Sequence, residues 1–324
     1  MKKFSIAATS ILVILVVTYG VAGNFFYNIA LNPNKEKDFL SNNPHLAQSE
    51  AVSVEVAESS KLADAEFAKE HQPDEMGIVS SDQLKLSAKL YENNNQDHKW
   101  AIVVHGYTGN NTQMIRWIRN FHENGYNVLA PDLRGHGKSE GEYIGMGWDD
   151  RKDMLLWIKQ ITDKDPQADI ALFGISMGGA TVMMTSGEKL PTNVKVIVED
   201  CGYSSVMDVF TYQLDDLFGL PKFPVMNAAN TVTQLRAGYD LNEASAVKQV
   251  LKSKTPMLFI HGEDDTFVPY SMLDDVYNAA NVDKDKLIIP GAGHGEAELV
   301  DPEKYWNKVW GFVDKYMLNY HERG

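Results

Sequence analysis

The segment Ile170–Gly179 constrains the fold of this chain more than any other stretch. It reads Ile-Ala-Leu-Phe-Gly-Ile-Ser-Met-Gly-Gly, so a short apolar run ends in a Gly-x-Ser-x-Gly sequence, and a helical segment, Ala180–Leu190, follows it. Glycines on either side of Ser176 let a strand and a helix meet in a tight turn, because they bring no side chain into the junction. We expect this turn to lift the Ser176 hydroxyl above the edge of a sheet, beside the free N–H groups of the first helical turn.

Composition excludes several classes of function. The chain has 324 residues, 44% of them hydrophobic, which is enough for one large core. Its net charge of −14 argues against nucleic acid as a partner, and against anionic lipid as a direct partner of the folded part. The single cysteine, Cys201, rules out an internal disulfide, and its place after an apolar run predicts a small buried side chain. Because no metal-ligand spacing occurs, we expect neither a metal nor a cofactor.

The N-terminus has the composition of a membrane segment. Lys2 and Lys3 are followed by twenty uncharged residues, Phe4–Gly23, which is enough for a helix to cross a bilayer. The small residues Val21–Gly23 leave cleavage of a secretory signal, and hence secretion, as an alternative. We favour an uncleaved anchor in residues 1–31, with the N-terminus in the cytoplasm and the rest of the chain outside the cell membrane.

The remaining chain divides into a stalk and one domain. Residues 32–75 are polar and are predicted to form a stalk that ends in a helix, Ala51–Phe67, packed on the domain. In residues 76–324 strands alternate with helices, which predicts an α/β fold with a mostly parallel sheet covered by helices on both faces. The predicted elements include a half-buried edge strand, Gly77–Tyr91, five apolar strands, Trp100–His105, Tyr126–Ala130, Val194–Val198, Met257–Ile260 and Leu287–Ile289, and a closing helix, Tyr305–Leu318.

One long insertion interrupts this alternation. Residues 202–250 lie between two predicted strands, are rich in phenylalanine and leucine, and contain Pro221 and Pro224. Long insertions in compact domains often cover an active site, so we predict a helical lid; a pair of core helices is the alternative.

A serine hydroxyl needs a base within hydrogen-bond reach and a carboxylate that orients the base. Asp264 and Asp265 occupy the loop after one predicted strand, and Asp200 ends an earlier strand, so the acid remains open among these three on residue chemistry alone. The carboxyl ends of parallel strands share one sheet edge, where sites of such folds lie.

Four histidines are each followed by glycine, and each is a candidate base. His105, His136 and His261 lie in turns where an imidazole can bond to the backbone. His294 alone follows both the acidic loop and the last predicted strand, so we select His294 as the base.

These segments resemble the α/β-hydrolase superfamily. The resemblance rests on the Gly174–Gly178 turn, on the His-Gly-x-x-Asp-x-x-Val-Pro run of His261–Pro269, and on the Gly-x-Gly-His sequence that ends at His294. It extends from Gly77 to the C-terminus and is closest to the bacterial, membrane-anchored, esterase-like branch. It implies the α/β-hydrolase fold with a triad of Ser176, Asp265 and His294, because the family acid stands fifth in the His-Gly run.

The same resemblance implies two backbone donors for an oxyanion hole. One is the N–H of Met177, the residue after the serine, and the other is the N–H of Tyr107 in the loop His105–Gly109. Asp132 and Arg134, in a further family-like segment, are expected to brace loops near the site and not to take part in catalysis.

We therefore expect a serine hydrolase that cleaves carboxylic esters or thioesters through an acyl-enzyme, with a small-molecule acyl ester as substrate. An acyltransferase or a peptidase with the same triad is one alternative. The others are a non-catalytic binding protein on this fold and an accessory protein of the cell wall, since fold alone does not fix function.

Overall fold

The structure, a computed structural model, describes residues 2–41, 43–93 and 97–317, and in the first helix it describes side chains from Thr9 onward. The predicted orientation of the N-terminus rests on Lys2 and Lys3, whose side chains lie outside this description. Leu318 of the predicted closing helix, with the rest of the predicted domain to residue 324, also lies outside the described residues.

One sheet of eight strands runs through the described part of the chain. The strands are β1 (Asp74–Val79), β2 (Lys85–Tyr91), β3 (Lys99–Val104), β4 (Asn127–Pro131), β5 (Asp169–Ile175), β6 (Val194–Asp200), β7 (Met257–Gly262) and β8 (Lys284–Ile289). Their order is β1-β2-β4-β3-β5-β6-β7-β8. β2 pairs antiparallel with β1 and with β4, and the other neighbouring strands are parallel. The predicted mostly parallel sheet is confirmed.

Helices cover both faces of this sheet, as predicted. Ile170 and Leu172 of β5 lie in one hydrophobic core, while Ala171 and Phe173 lie in a second core on the opposite face. The helices are α1 (Lys2–Leu31), α2 (Val54–Glu70), α3 (Ile115–Glu123), α4 (Asp150–Lys164), α5 (Met177–Ser186), α6 (Val206–Phe218), α7 (Lys222–Arg236), α8 (Ala246–Val250), α9 (Ser271–Ala279), α10 (Ala297–Val300) and α11 (Pro302–Met317). α4, α5, α8 and α9 contribute to the first core, and α3 and α11 to the second.

The prediction of a single edge strand over Gly77–Tyr91 is wrong. The segment is a hairpin in which β1 forms the edge and β2 lies inside the sheet. The turn is closed by bonds of the Ser80 N–H to the Leu84 carbonyl at 2.8 Å and of the Leu84 N–H to Ser80 Oγ at 2.8 Å. Gln83 takes a positive φ of 71° in this turn. The strand was predicted from alternating apolar residues, of which Leu86, Ala88 and Leu90 lie in β2 and Leu84 lies in the turn before it.

Two other predicted segments differ from the structure in their extent. The helix after the serine is α5, which begins at Met177 and not at Ala180, so its first turn lies directly against Ser176. The insertion predicted as a lid over residues 202–250 contains three helices: α6 and α7, which we call the lid, and α8, which ends the insertion.

α1 extends beyond the predicted span and packs on the lid. The segment Thr9–Leu31 is long and apolar enough, by length and composition, to cross a membrane. Its C-terminal half lies against α7, where Tyr19 Oη is 3.1 Å from Thr231 Oγ1. A side chain at Gly23 would place its Cβ 2.4 Å from the Ala228 carbonyl oxygen, so the two helices approach closely only because this residue is glycine.

Two glycines of α1 offer a matched test of this packing. Gly23→Ala is expected to cost about 1–3 kcal/mol of stability, because the obstacle is backbone and cannot move aside without separating the helices. Gly20→Ala meets nothing within 4 Å and is expected to gain up to about 1 kcal/mol of helix propensity. The unfolding midpoint of the full chain in detergent micelles measures both changes. An equal upward shift in the two variants would contradict the packing of α1 on the lid.

Candidate active site

The turn at Ser176 has the sharp geometry expected of a strand–helix elbow. Ser176 has φ 56° and ψ −117°, and its N–H donates to the Asp200 carbonyl at 2.8 Å. A Cβ on Gly174 would lie 2.2 Å from the Gly178 oxygen, and one on Gly178 would lie 2.1 Å from the Val104 oxygen. Both glycines are thus required by close backbone approach, and the strained serine is held by the strands on either side of β5.

Three predicted site residues lie in one hydrogen-bonded row. His294 Nε2 is 2.8 Å from Ser176 Oγ, and His294 Nδ1 is 2.7 Å from Asp265 Oδ2. Ser176 follows β5, Asp265 follows β7 and His294 follows β8, so the parallel strands bring them to the same sheet edge. The distances allow a proton on the serine to pass to Nε2 while the carboxylate holds Nδ1–H.

The loop between β7 and α9, residues 263–270, is called the acid loop, and its backbone holds the Asp265 carboxylate in place. Its Oδ1 accepts the N–H groups of Phe267 and Val268 at 2.9 and 2.8 Å, and His261 Nε2 lies 3.2 Å from Oδ2. Burial by itself raises the pKa of this carboxyl, but the two adjacent histidines, His294 and His261, outweigh burial and lower the pKa below its usual 3.8. Asp265 is therefore held ionised beneath His294.

The charge of Asp265 acts in turn on His294. Burial disfavours the imidazolium, but attraction to and hydrogen bonding with the Asp265 carboxylate outweigh it, so the pKa of His294 is raised above 6.5. The ring of Phe267 lies 5.0 Å from that of His294, centroid to centroid, which shields the imidazole from solvent.

The structure does not bring the two rival acids to His294. Asp264 is exposed in the same loop. Asp200 is buried, its Oδ2 accepts from the Tyr305 hydroxyl at 2.8 Å, and no hydrogen bond among the described residues joins its side chain to His294. Burial raises the pKa of Asp200 to about 6.

The three other glycine-flanked histidines bond to the backbone, as their turns suggested. His105 Nδ1 donates to the Gly106 carbonyl at 2.7 Å while its Nε2 accepts from the Leu133 N–H at 3.0 Å. His136 Nδ1 lies 3.0 Å from the Arg134 carbonyl, and His261 Nε2 donates to the Val268 carbonyl at 2.9 Å. Burial lowers the pKa of His105 to about 3 and that of His136 to about 4, so both remain neutral.

The loop that carries Tyr107 passes beside the serine. A Cβ built on Gly106 would lie 3.3 Å from Ser176 Cβ and 3.8 Å from its Oγ, so Tyr107, the next residue, borders the site. Met177 is the first residue of α5, whose N-terminal N–H groups are not used within the helix. The two predicted oxyanion donors thus flank Ser176.

Asp132 and Arg134 brace loops near the site. Asp132 accepts the N–H groups of Asn111 and Lys138 at 2.8 and 2.9 Å. Arg134 forms a two-bond ion pair with Asp153, with both N–O distances 2.9 Å, and reaches Asp82 at 2.9 Å. Neither side chain contacts Ser176.

One group of possible metal ligands occurs among the described residues, and it belongs to the same site. Ligand atoms of Cys201, Asp265 and His294 lie within 4.8 Å of one another. Burial raises the pKa of the Cys201 thiol well above its usual value, so this side chain is a small buried group, as predicted, and a poor metal ligand.

Sequence reasoning missed two features of the site. His261 was treated only as a turn residue, although the spacing from His261 to Asp265 places its ring on the acid. The stalk also reaches the site. His45 Nδ1 lies 2.7 Å from Thr266 Oγ1, and His45 Nε2 lies 3.0 Å from Oδ2 of Asp216 in the lid. No local signal in a polar segment indicates which surface it will cross.

An apolar pocket opens on Ser176 beneath the lid. It holds about 870 Å³ of empty space, counting its opening to solvent. Of the described residues that line it, none carries a charge. The walls come from α6, α7, the acid loop and, unexpectedly, the end of α1; the apolar residues include Phe26, Ala30, Leu31, Val209, Phe210, Leu214, Phe218, Met226 and Phe267.

Comparison with known sequences gives distant relatives. The family described as serine aminopeptidase, S33, matches residues 96–199, a range that contains Ser176 but ends before Asp265 and His294. The uncharacterized protein YqkD of Bacillus subtilis is 27% identical over 214 residues, covering 66% of this chain and 70% of YqkD. The uncharacterized protein YfhR of Escherichia coli K12 is 25% identical over 202 residues, covering 60% of this chain and 63% of YfhR.

Solved structures share the fold more completely. An esterase of Pyrococcus furiosus, Pf2001, superposes with a TM-score of 0.63 at 24% identity, covering 77% of this chain and 94% of the esterase. An acylaminoacyl peptidase of Pyrococcus horikoshii gives 0.57 at 17% identity, covering 76% of this chain and 43% of that protein. Because the fold is shared with these enzymes over most of the chain, and its central part matches a hydrolase family, this chain has the α/β-hydrolase fold.

Proposed function

We propose that the protein is a serine hydrolase that cleaves carboxylic esters. The observation that carries this proposal is the row of hydrogen bonds from Ser176 Oγ through His294 to Asp265, at 2.8 and 2.7 Å. Such a row supplies a nucleophile, a base and an orienting carboxylate.

The mechanism follows from these contacts. His294 Nε2 takes the Ser176 proton as Oγ attacks the acyl carbon, and the N–H groups of Met177 and Tyr107 hold the oxyanion. His294 then gives the proton to the leaving alcohol. A water molecule, deprotonated by the same nitrogen, attacks the acyl-enzyme and releases the acid, which restores Ser176. Asp265 keeps the imidazole in the tautomer that can accept at Nε2.

The pocket favours an ester with an apolar acyl group over a peptide with a free amino terminus. The matched family is described as a serine aminopeptidase, so peptide cleavage is the second candidate. An aminopeptidase has to bind an ammonium group, and this usually takes a carboxylate near the scissile bond. None of the described residues that line the pocket is acidic. Thioester cleavage and acyl transfer use the same first step, and product analysis with alcohol or amine acceptors separates them.

The test uses the full chain in detergent, because α1 forms part of the pocket and a truncation before residue 32 would remove that wall. We expect a fluorophosphonate probe to label the wild type, and p-nitrophenyl esters to be hydrolysed. Peptide p-nitroanilides with a free amino terminus are the competing substrates. Absence of labelling in a well-folded protein would overturn the proposal, and preferred cleavage of the anilides would favour the peptidase.

We also propose that α1 is an uncleaved membrane anchor, with the catalytic domain outside the cell. Support comes from the lid contacts of Tyr19 and Gly23, which a cleavage at Val21–Gly23 would remove or disrupt. Membrane fractions of the source cell are expected to contain the full-length chain after alkaline extraction. A soluble, shortened product would instead indicate secretion.

Activity is expected to fall in acid as His294 becomes protonated. The base must be neutral to accept the serine proton, and the pKa of His294 is raised, so loss of activity begins above the usual histidine value of 6.5. We predict that kcat/KM for a short-chain ester rises with pH and reaches half its maximum above 6.5. Initial rates between about pH 5 and about pH 9 measure this midpoint. A midpoint below 6.5 would argue against the ionised Asp265 beneath the imidazole.

A further inference from the structure

The end of α1 forms a fixed wall of the pocket at Ser176. Phe26, Ala30 and Leu31 line the pocket beside the lid helices, and Leu31 is only 1% exposed. The Tyr107 hydroxyl donates to the Ala30 carbonyl at 2.7 Å, and the Ile144 N–H donates to the Leu31 carbonyl at 2.8 Å. The helix is therefore joined to the loop that borders Ser176 as well as to the lid.

The other end of the same helix is apolar and exposed. Ile11–Val17 are each 55–63% exposed, which is costly in water and favourable in a bilayer. A bilayer core about 30 Å thick takes about 20 helical residues. If Phe4–Gly23 cross it, Phe26–Leu31 begin within one helical turn of the membrane surface, and the part of α7 that contacts Tyr19 and Gly23 lies at the depth of the outer end of that segment. The pocket wall and the proposed membrane-spanning segment are thus consecutive parts of one continuous helix.

Aromatic side chains connect this membrane-facing region with the pocket. Phe25 is 51% exposed, and its ring lies 5.2 Å from that of Phe26, which in turn lies 5.4 Å from the ring of Phe218 in the lid. Phe26 and Phe218 both line the pocket. Phe223, at the lid turn, is 75% exposed. An acyl chain that leaves the bilayer beside α1 would meet apolar surface along this route.

We propose that the ester cleaved at Ser176 is an acyl ester of a membrane lipid, whose acyl chain enters the pocket from the bilayer along α1. This inference rests on the proposed serine esterase and on α1 as the anchor. The Ser176 oxygen replaces the lipid alcohol on the acyl carbon, the alcohol leaves with the proton from His294, and water releases the fatty acid. Because the net charge of −14 disfavours anionic headgroups, the proposal is for lipids with neutral or zwitterionic headgroups.

The experiment uses the full chain reconstituted in phosphatidylcholine vesicles that contain phosphatidylethanolamine with radiolabelled oleoyl chains. Release of oleate is compared with hydrolysis of p-nitrophenyl acetate, which needs little of the pocket, and with fluorophosphonate labelling. A second set of vesicles carries the same oleoyl chains on anionic phosphatidylglycerol.

Two variants test the pocket wall, and a third variant is the control. Ala30→Phe fills the pocket at the wall, and Phe26→Ala removes part of the wall without adding bulk. In each variant we expect the ratio of oleate release to acetate hydrolysis to fall by about tenfold or more. A change in pocket shape typically alters discrimination between substrates by this much. Val16→Phe adds an aromatic ring to the same helix at a position 63% exposed, far from the pocket, and is expected to change the ratio less than about twofold.

The outcomes separate this inference from the proposed function. If the wild type neither binds the fluorophosphonate nor hydrolyses acetate, the serine esterase itself is wrong. If it does both but releases no oleate, or if all three variants behave alike, the lipid inference is overturned while the esterase stands. Faster release from phosphatidylglycerol than from phosphatidylethanolamine would overturn the preference for uncharged headgroups.

Discussion

Replacing Ser176 by alanine is expected to lower the turnover of a p-nitrophenyl ester by about a millionfold. The hydroxyl forms the acyl bond in the proposed mechanism, and without it His294 has no serine proton to accept. Any residual rate comes from binding and from the N–H groups of Met177 and Tyr107. Fluorophosphonate labelling should be lost completely. Steady-state kinetics and labelling of the full chain measure both effects.

Ser186 provides a matched control in the same helix. It is buried in α5, and its Oγ donates to the Met183 carbonyl at 2.7 Å, away from the site. Ser186→Ala removes one local hydrogen bond, which costs about 1 kcal/mol of stability, and is expected to leave turnover within about twofold. If Ser176→Ala retained a few per cent of activity and the probe still labelled it, Ser176 would not be the nucleophile.

Asp265→Asn is expected to lower kcat by about ten thousandfold. An asparagine at this position can still accept from Phe267 and Val268, so the loop keeps its shape. Its NH₂ group would then face His294 Nδ1 and favour the tautomer with the proton on Nε2. In that tautomer the nitrogen 2.8 Å from Ser176 Oγ cannot accept the serine proton. The measurement is kcat for a short-chain ester at a pH well above the acid limb.

The adjacent aspartate gives the control. Asp264→Asn changes an exposed carboxylate one residue away and is expected to alter kcat less than about twofold. Asp200→Asn addresses the other rival; it alters a buried contact with Tyr305, so its effect should fall on the unfolding midpoint more than on kcat. A loss in Asp264→Asn equal to that in Asp265→Asn would disprove the assignment of the acid.

The sequence alone predicted the mostly parallel sheet and the candidate site residues that the structure brings together, because both predictions depend on short-range patterns. Apolar runs of strand length, separated by helices, indicated a mostly parallel sheet. A glycine-flanked serine between strand and helix indicated the elbow at Ser176, and the backbone clashes at Gly174 and Gly178 give its physical cause. The resemblance to a family then singled out Asp265 from Asp264, a choice that residue chemistry had left open.

The hairpin of β1 and β2 could not be found in this way. Its turn depends on bonds between Ser80 and Leu84, and on a positive φ at Gln83, a residue type that gives no warning of it. The contact of His261 with Asp265 likewise needs the loop to close on itself before the two side chains meet, although they are only four residues apart.

Only the tertiary structure decided what surrounds the serine. Twenty uncharged residues predict a helix that avoids water. Because the hydrophobic effect is non-directional, the sequence pattern does not indicate whether lipid or protein covers each part of that helix. In the folded chain one half of α1 remains exposed, and the other packs on the lid and forms a wall of the pocket. That arrangement depends on contacts such as Gly23 with Ala228 and Tyr107 with Ala30, which join residues far apart in the chain and leave no periodic signal in either segment.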